Sequence, residues 1–103
     1  MYKICLFVPG SHLEEVKSAL FNAGAGKQGG YENCCWQSKG VGQFRPAIGS
    51  KPFIGAVGVL EKVDEYKVEM LCERLLIKQA VESLKQAHPY EEPAFEILEL
   101  VEL

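Results

Sequence analysis

The sequence predicts an α+β fold, a ferredoxin-like split-βαβ sandwich with an extra hairpin and a long loop between its halves. Two observations carry that prediction. A 64-residue offset lays one half of the chain on the other, with Tyr2-Lys3-Ile4 on Tyr66-Lys67-Val68 and Leu6-Phe7 on Met70-Leu71. The same offset matches Leu13, Val16, Leu20 and Ala23 to Ile77, Ala80, Leu84 and Ala87. Each copy also reads as a strand, an amphipathic helix and another strand, so the duplication is of a structural unit. With 103 residues, 48% of them hydrophobic, the chain holds one core, and residues 1–103 are read as a single domain.

In chain order, Tyr2 to Val8 is the first strand, stopped by Pro9-Gly10. Ser11 with Glu14 three residues on predicts a capping box, because serine accepts from first-turn amides. Leu13, Val16 and Leu20 share one helical face, and Gly24 supplies the left-handed stop. Aromatic-rich Tyr31 to Ser38 reads as a strand, with Lys39-Gly40 turning it into a hairpin partner, Val41 to Arg45. A long connection, 46–60, leads to the third main strand near Tyr66. Glu65, Lys67 and Glu69 share one parity there and form a polar face. Ile77, Ala80, Val81, Leu84 and Ala87 make the second helical stripe, which Pro89 ends. Phe95, Ile97, Leu100 and Val101 form the last strand. Both helices cover one sheet face. Trp36, Phe44, Phe53, Ile54 and Val57 are more apolar surface than two short helices need, so a homo-oligomer is expected.

Composition excludes several classes. A net charge of −3 is wrong for a dedicated nucleic-acid binder, no apolar run is long enough for a membrane span, and no signal h-region is present. A cytoplasmic protein is expected. Cys5, Cys34, Cys35 and Cys72 have neither zinc spacing nor a secretory context, so they are read as free thiols. The charge is uneven: residues 1–23 are neutral, 24–58 carry +3 with nine of the ten glycines, and 59–103 carry −6.

Gly24-Ala25-Gly26-Lys27-Gln28-Gly29 satisfies Gly-x-Gly-x-x-Gly, but it follows a helix and precedes a strand. The dinucleotide mechanism needs the reverse order, so the motif is set aside as a connection. His88-Pro89-Tyr90-Glu91-Glu92-Pro93 holds an imidazole, a phenol and two carboxylates between prolines that fix φ. His88 with Glu91 or Glu92 can ligate a divalent metal or share a proton; in the plainer alternative His88 caps the preceding helix as a cation. His12 is read as a surface residue. Cys34 and Cys35 are read as core or interface residues, because no local base or helix N-terminus activates a thiolate there.

The motifs also carry a resemblance. Ala23-Gly24-Ala25-Gly26, Gly30-Tyr31-x-x-Cys34, Gly40-x-Gly42-x-Phe44-x-Pro46, Pro52-x-Ile54-Gly55, Val63-x-Glu65, Val68-Glu69 and the hexamer at 88–93 resemble the YqfO-type inserted domain of the Ngg-interacting-factor-three family, a PII/CutA-like module. The resemblance covers nearly all of residues 3–101 and implies a PII/CutA-like ferredoxin fold, here as a stand-alone protein, of the kind that assembles as a trimer. Full-length relatives are dimetal-binding proteins with a His-His-Pro motif. That motif is missing here, so their metal centre and hydrolase-like activities are not implied. The 46–60 connection corresponds to the loop with which PII-type proteins meet ligands and partners.

The function expected is therefore a homo-oligomeric binding or regulatory module without catalysis. Its cleft, between subunits, is lined by Tyr31, Cys34, Glu65, Glu69, His88 and Glu91. The ligand is a small anion or a divalent metal ion, the metal held by His88 and Glu91. Two alternatives stand beside it: a small enzyme with His88 as general acid/base oriented by Glu91, and a docking partner of a separate dimetal-binding protein.

Overall fold

The helix that follows the first strand begins with a local surprise. In the computed structural model, which describes residues 1–103, β1 (Tyr2–Pro9) runs into a 3-10 turn (Gly10–His12) before α1 (Leu13–Asn22). Ser11 therefore lies inside the turn rather than at the N-cap, and its hydroxyl bonds His12 Nδ1 at 2.8 Å. The expected capping box does not form, and Glu14 pairs with Lys17 at 3.2 Å instead. At the other end the expectation holds. Gly24, at φ +101°, donates to Phe21 O and Ala25 donates to Leu20 O, the two bonds of a Schellman stop. Buried Ala25 and Leu20 supply its apolar contact.

The chain continues as β2 (Trp36–Phe44), β3 (Glu61–Cys72), a second 3-10 turn (Arg74–Leu76), α2 (Ile77–Ala87) and β4 (Phe95–Glu99). The four strands form one antiparallel sheet in the order β2-β3-β1-β4. This is the split-βαβ arrangement, with the two repeat copies supplying the central pair β1 and β3. The expected hairpin at Lys39-Gly40 is corrected. Both residues sit inside β2, opposite Tyr66 and Glu65, because β3 is twelve residues long and offers every β2 residue a ladder partner. The long connection, 45–60, joins β2 to β3 as expected. The strand expected from Tyr31 begins only at Trp36; before it, Gln28 and Tyr31 close a tight turn of their own.

Register sorts the side chains. Ile4, Leu6 and Val8 stand beside Met70, Val68 and Tyr66, and their row meets Val16, Leu20, Ala80 and Leu84 from the helices. Twelve of the thirteen residues in this cluster are no more than 6% exposed. The other sheet face carries Phe7, Lys67, Glu69 and Glu96, with Trp36 at 62% and Leu98 at 47% exposure. Of the surplus apolar residues, only Trp36 and Phe44 lie on the sheet; Phe53, Ile54 and Val57 lie in the 45–60 connection. No helix is long and apolar enough to cross a membrane.

Two glycines test this account with opposite signs. A Cβ at Gly24 would need φ +101° and would stand 2.7 Å from Leu76, so Gly24→Ala is expected to cost about 1–2 kcal/mol in urea unfolding. Gly40 lies in strand geometry with open space around it, so Gly40→Ala is expected to be neutral or to add up to about 1 kcal/mol.

Candidate functional site

Where α2 ends, His88 accepts the C-cap position, and its N–H donates to Leu84 O at 2.9 Å. The ring then turns inward. It is 5% exposed, Nε2 lies 2.7 Å from Phe7 O, and Nδ1 accepts the Tyr90 N–H at 3.1 Å. Nδ1 must carry the lone pair to accept, so Nε2 carries the proton and donates to Phe7. Burial, the largest influence, pushes the imidazole below its ordinary value and His12 adds to it, while the Phe7 bond and the Glu65 charge oppose. His88 is thus a neutral strut between β1 and the 88–94 turn.

Both ring nitrogens are committed to backbone, so His88 offers no free lone pair to a metal. This corrects the expected His88–Glu91 pair. The Glu91 carboxylate instead accepts the Lys51 N–H at 2.9 Å, 40 residues away in sequence. The alternatives for His88, a base oriented by Glu91 or a cation on the helix dipole, are not the arrangement found either.

The strut positions Tyr90. Its ring lies 4.9 Å from that of His88, and its hydroxyl donates to Glu65 Oε2 at 2.8 Å. Burial and then the Glu65 bond push the phenol far above its ordinary value, so it remains a donor. Glu65 reaches this position by lying across Gly42, where a Cβ would come within 1.8 Å of Oε1. Phe44 and Phe53 flank Tyr90 at ring separations of 6.1 and 6.4 Å, inclined by 56° and 47°. His12 meets Phe53 edge-on at 5.5 Å. The 45–60 connection is thereby folded back onto the 88–94 turn, and a cavity of about 280 Å³ remains between them. Phe44, Phe53 and Tyr90 wall it, together with Glu65, Glu91 and Glu92.

A second cavity, of about 380 Å³, lies at the opposite end of β3. Lys3, Lys27, Cys34, Cys35, Trp36 and Glu69 line it, and Lys3 Nζ lies 3.7 Å from Glu69. The six residues expected in one cleft are therefore divided. Glu65 and Glu91 line the first cavity, with His88 bracing it from behind; Cys34 and Glu69 line the second; Tyr31 is exposed on the 28–31 turn and lines neither. All four cysteines are free, and burial pushes the Cys5 and Cys72 thiols up, away from thiolate. Phe44, Phe53, Tyr90 and Gly42 were missed as site residues, whereas Glu92, weighed beside Glu91 as a partner of His88, lines the first cavity. All except Gly42 could have been suspected from the hexamer and the aromatic residues beside Pro46 and Pro52.

This architecture is that of a PII/CutA-like ferredoxin-type module, and comparison with solved structures agrees. CutA1 from Pyrococcus horikoshii superposes over 100% of this chain and 86% of its own, with a TM-score of 0.71 at 16% identity. The PII-like protein CutA from Nostoc covers 97% of this chain and 81% of its own, with a TM-score of 0.69 at 16% identity. A Bacillus cereus protein related to NIF3 matches far better in sequence, at 38% identity with a TM-score of 0.83, over 96% of this chain and 25% of that protein. Among curated proteins, those named GTP cyclohydrolase 1 type 2 homolog from Halalkalibacterium halodurans and Bacillus subtilis are each 43% identical, over 97% and 92% of this chain. No family model matches. The chain corresponds to the YqfO-type domain of the Ngg-interacting-factor-three (NIF3) family, and it spans about a quarter of the length of the curated relatives it matches (27% and 26%).

The buried strut makes a pH prediction. An unfolded imidazole protonates near its ordinary value of 6.5, whereas folded His88 does so only at lower pH, so the unfolded chain binds more protons in between. The stability that neutral His88 contributes is whole above pH 6.5 and is lost as pH falls through the depressed folded value. His88→Ala should cost about 1–3 kcal/mol at pH 7.5. The gap to wild type should narrow at pH 5.5 in urea unfolding; a gap constant across pH would show that the ring is not held neutral.

Proposed function

We propose that residues 1–103 act as one PII/CutA-like domain, a non-catalytic binding or regulatory module working as a homo-oligomer. Its ligand site is the cavity between the 45–60 connection and the 88–94 turn. One observation carries this reading: the connection is fastened across the cavity by Lys51 N–H to Glu91 and by Phe53 against Tyr90, and an open space remains beneath. A long loop closed over a walled cavity is how a scaffold presents a ligand site that can respond to occupancy. His88, engaged with backbone on both sides, supports a binding role over an acid-base one.

Of the two ligand classes expected from the sequence, the lining favours a cation over an anion. Glu65, Glu91 and Glu92 line the space, and the bases of the basic middle region do not. With His88 committed to backbone, Glu65, Glu91 and Glu92 are the groups left to hold a cation. The activity in the relatives' name belongs to proteins nearly four times as long. Its triphosphate substrate suits the Lys3–Lys27 cavity better than the acidic one.

The oligomer is proposed to form through the sheet face that the helices leave open, where Trp36 and Leu98 are exposed, with the trimer that the resemblance implies as its state.

Nuclear magnetic resonance titration with Mn²⁺, Zn²⁺, inorganic phosphate and small organic cations tests the site. Shifts should gather in residues 43–54 and 90–94. Shifts confined to Lys3, Lys27 and Trp36 would move the site to the other cavity, and none anywhere would end the binding reading. Sedimentation velocity tests the assembly: the wild type should run as a trimer and Trp36→Glu as a monomer, whereas a monomeric wild type removes the oligomer.

A further inference from the structure

The chemistry of the cavity under the 45–60 connection is more specific than its overall charge. Its charged side chains are all carboxylates, set beside the neutral polar groups of Gln43, Ser50 and Tyr90. Glu65, Glu91 and Glu92 reach it, and none of them is ion-paired to a lysine, arginine or histidine in the structure. Glu65 takes one hydrogen bond, from Tyr90, and Glu91 takes one, from the Lys51 amide, so each carboxylate keeps acceptor capacity. Between the acids stand three aromatic rings, Phe44, Phe53 and Tyr90. They are inclined rather than stacked, and Tyr90 lies within about 6.5 Å of both phenylalanines. Aromatic faces are negative by their quadrupole, so the rings and the carboxylates attract the same kind of guest.

That combination discriminates between ligands. A bare divalent metal wants several oxygen, nitrogen or sulfur atoms converging on one point, and no three His, Cys, Asp or Glu side chains do so here. Inorganic anions are repelled by the carboxylates. A neutral apolar molecule would fill the space but leave the three charges uncompensated. A weakly hydrated cation clothed in methyl or methylene groups satisfies both halves of the lining: its charge meets carboxylate and ring faces, and its carbon surface meets the rings. At about 280 Å³ the space lies just below the range of drug-sized ligand pockets, roughly 300 to 1,000 Å³, and suits a small guest.

We infer that this cavity binds a small alkylated ammonium ion, held by Phe44, Phe53 and Tyr90 as an aromatic cage and by Glu65 and Glu91 as its counter-charges. The inference rests on the reading of this cavity as the module's ligand site. The cage is built from two separate pieces of chain, since Phe44 and Phe53 come with the β2–β3 connection and Tyr90 with the turn after α2. A bound cation would therefore draw the connection more firmly onto the turn and make its occupancy readable at the surface.

Calorimetric titration of the full chain with choline and tetramethylammonium, beside nuclear magnetic resonance of the aromatic side chains, tests this. The neutral isostere 3,3-dimethylbutan-1-ol and inorganic phosphate are the comparisons. Choline should shift Phe53 and Tyr90 resonances and bind about ten-fold more tightly than the isostere. Glu65→Gln, which keeps the side-chain shape, and Phe53→Ala, at a ring already 52% exposed, should each weaken choline by about ten-fold without unfolding the chain. Equal binding of choline and the isostere would overturn the cation while leaving a ligand site. Phosphate shifting these resonances when choline does not would do the same. If none of the four probes perturbs residues 43–54 or 90–94, this inference falls; Mn²⁺ or Zn²⁺ shifts at those residues would still preserve the site, and their absence too would end the broader reading.

Discussion

The buried imidazole of His88 is the interaction on which the functional end of the molecule depends. An uncharged ring with one donor and one acceptor can tie two backbone segments together in a dry environment, where a charged group would be costly. Here it joins Phe7 in β1 to the amide of Tyr90, so the sheet reaches past the end of β4 into a turn that is not itself regular structure. Pro89 and Pro93 stiffen that turn on either side. Everything that follows hangs from it: Tyr90 is aimed at Glu65, Glu91 is brought to Lys51, and the 45–60 connection gains a surface to close upon.

A second constraint works from the sheet. Glu65 belongs to the polar face of β3, but its carboxylate reaches Tyr90 only because Gly42 has no side chain to block it. The glycines of the middle region thus do different work. Gly24 ends a helix, Gly42 makes room for a carboxylate, and Gly40 is simply paired in a strand. The charge asymmetry resolves in the same way. The acidic second copy supplies the carboxylates of one cavity, while Lys27 from the basic middle joins Lys3 in the other.

The comparisons set the scale on which these sites should be understood. The chain matches a domain-sized part of much longer proteins at high identity, and free-standing CutA proteins by fold alone. The same fold thus occurs within longer chains and in chains little longer than this one.

The duplicated strand-helix pattern, the Gly24 stop, the long connection and the polarity of β3 were all legible in the residues, because each is set by local periodicity or by one residue's conformational limits. Other features were not. Lys39-Gly40 has the composition of a turn, and only the length of the neighbouring strand made it a ladder. Ser11 and Glu14 have cap spacing, but the tightening of the chain after Pro9 moved the helix start past Ser11 and left Glu14 inside the first turn. The hexamer was recognisable as chemistry, yet nothing local says that its histidine faces a carbonyl 81 residues away or that its tyrosine meets Glu65. The sequence by itself determined the duplicated strand-helix units, their order and the residue types available for a site. The tertiary structure decided which of those residues share a cavity, because that depends on strand register and loop closure, and neither is encoded within the reach of a single turn or strand.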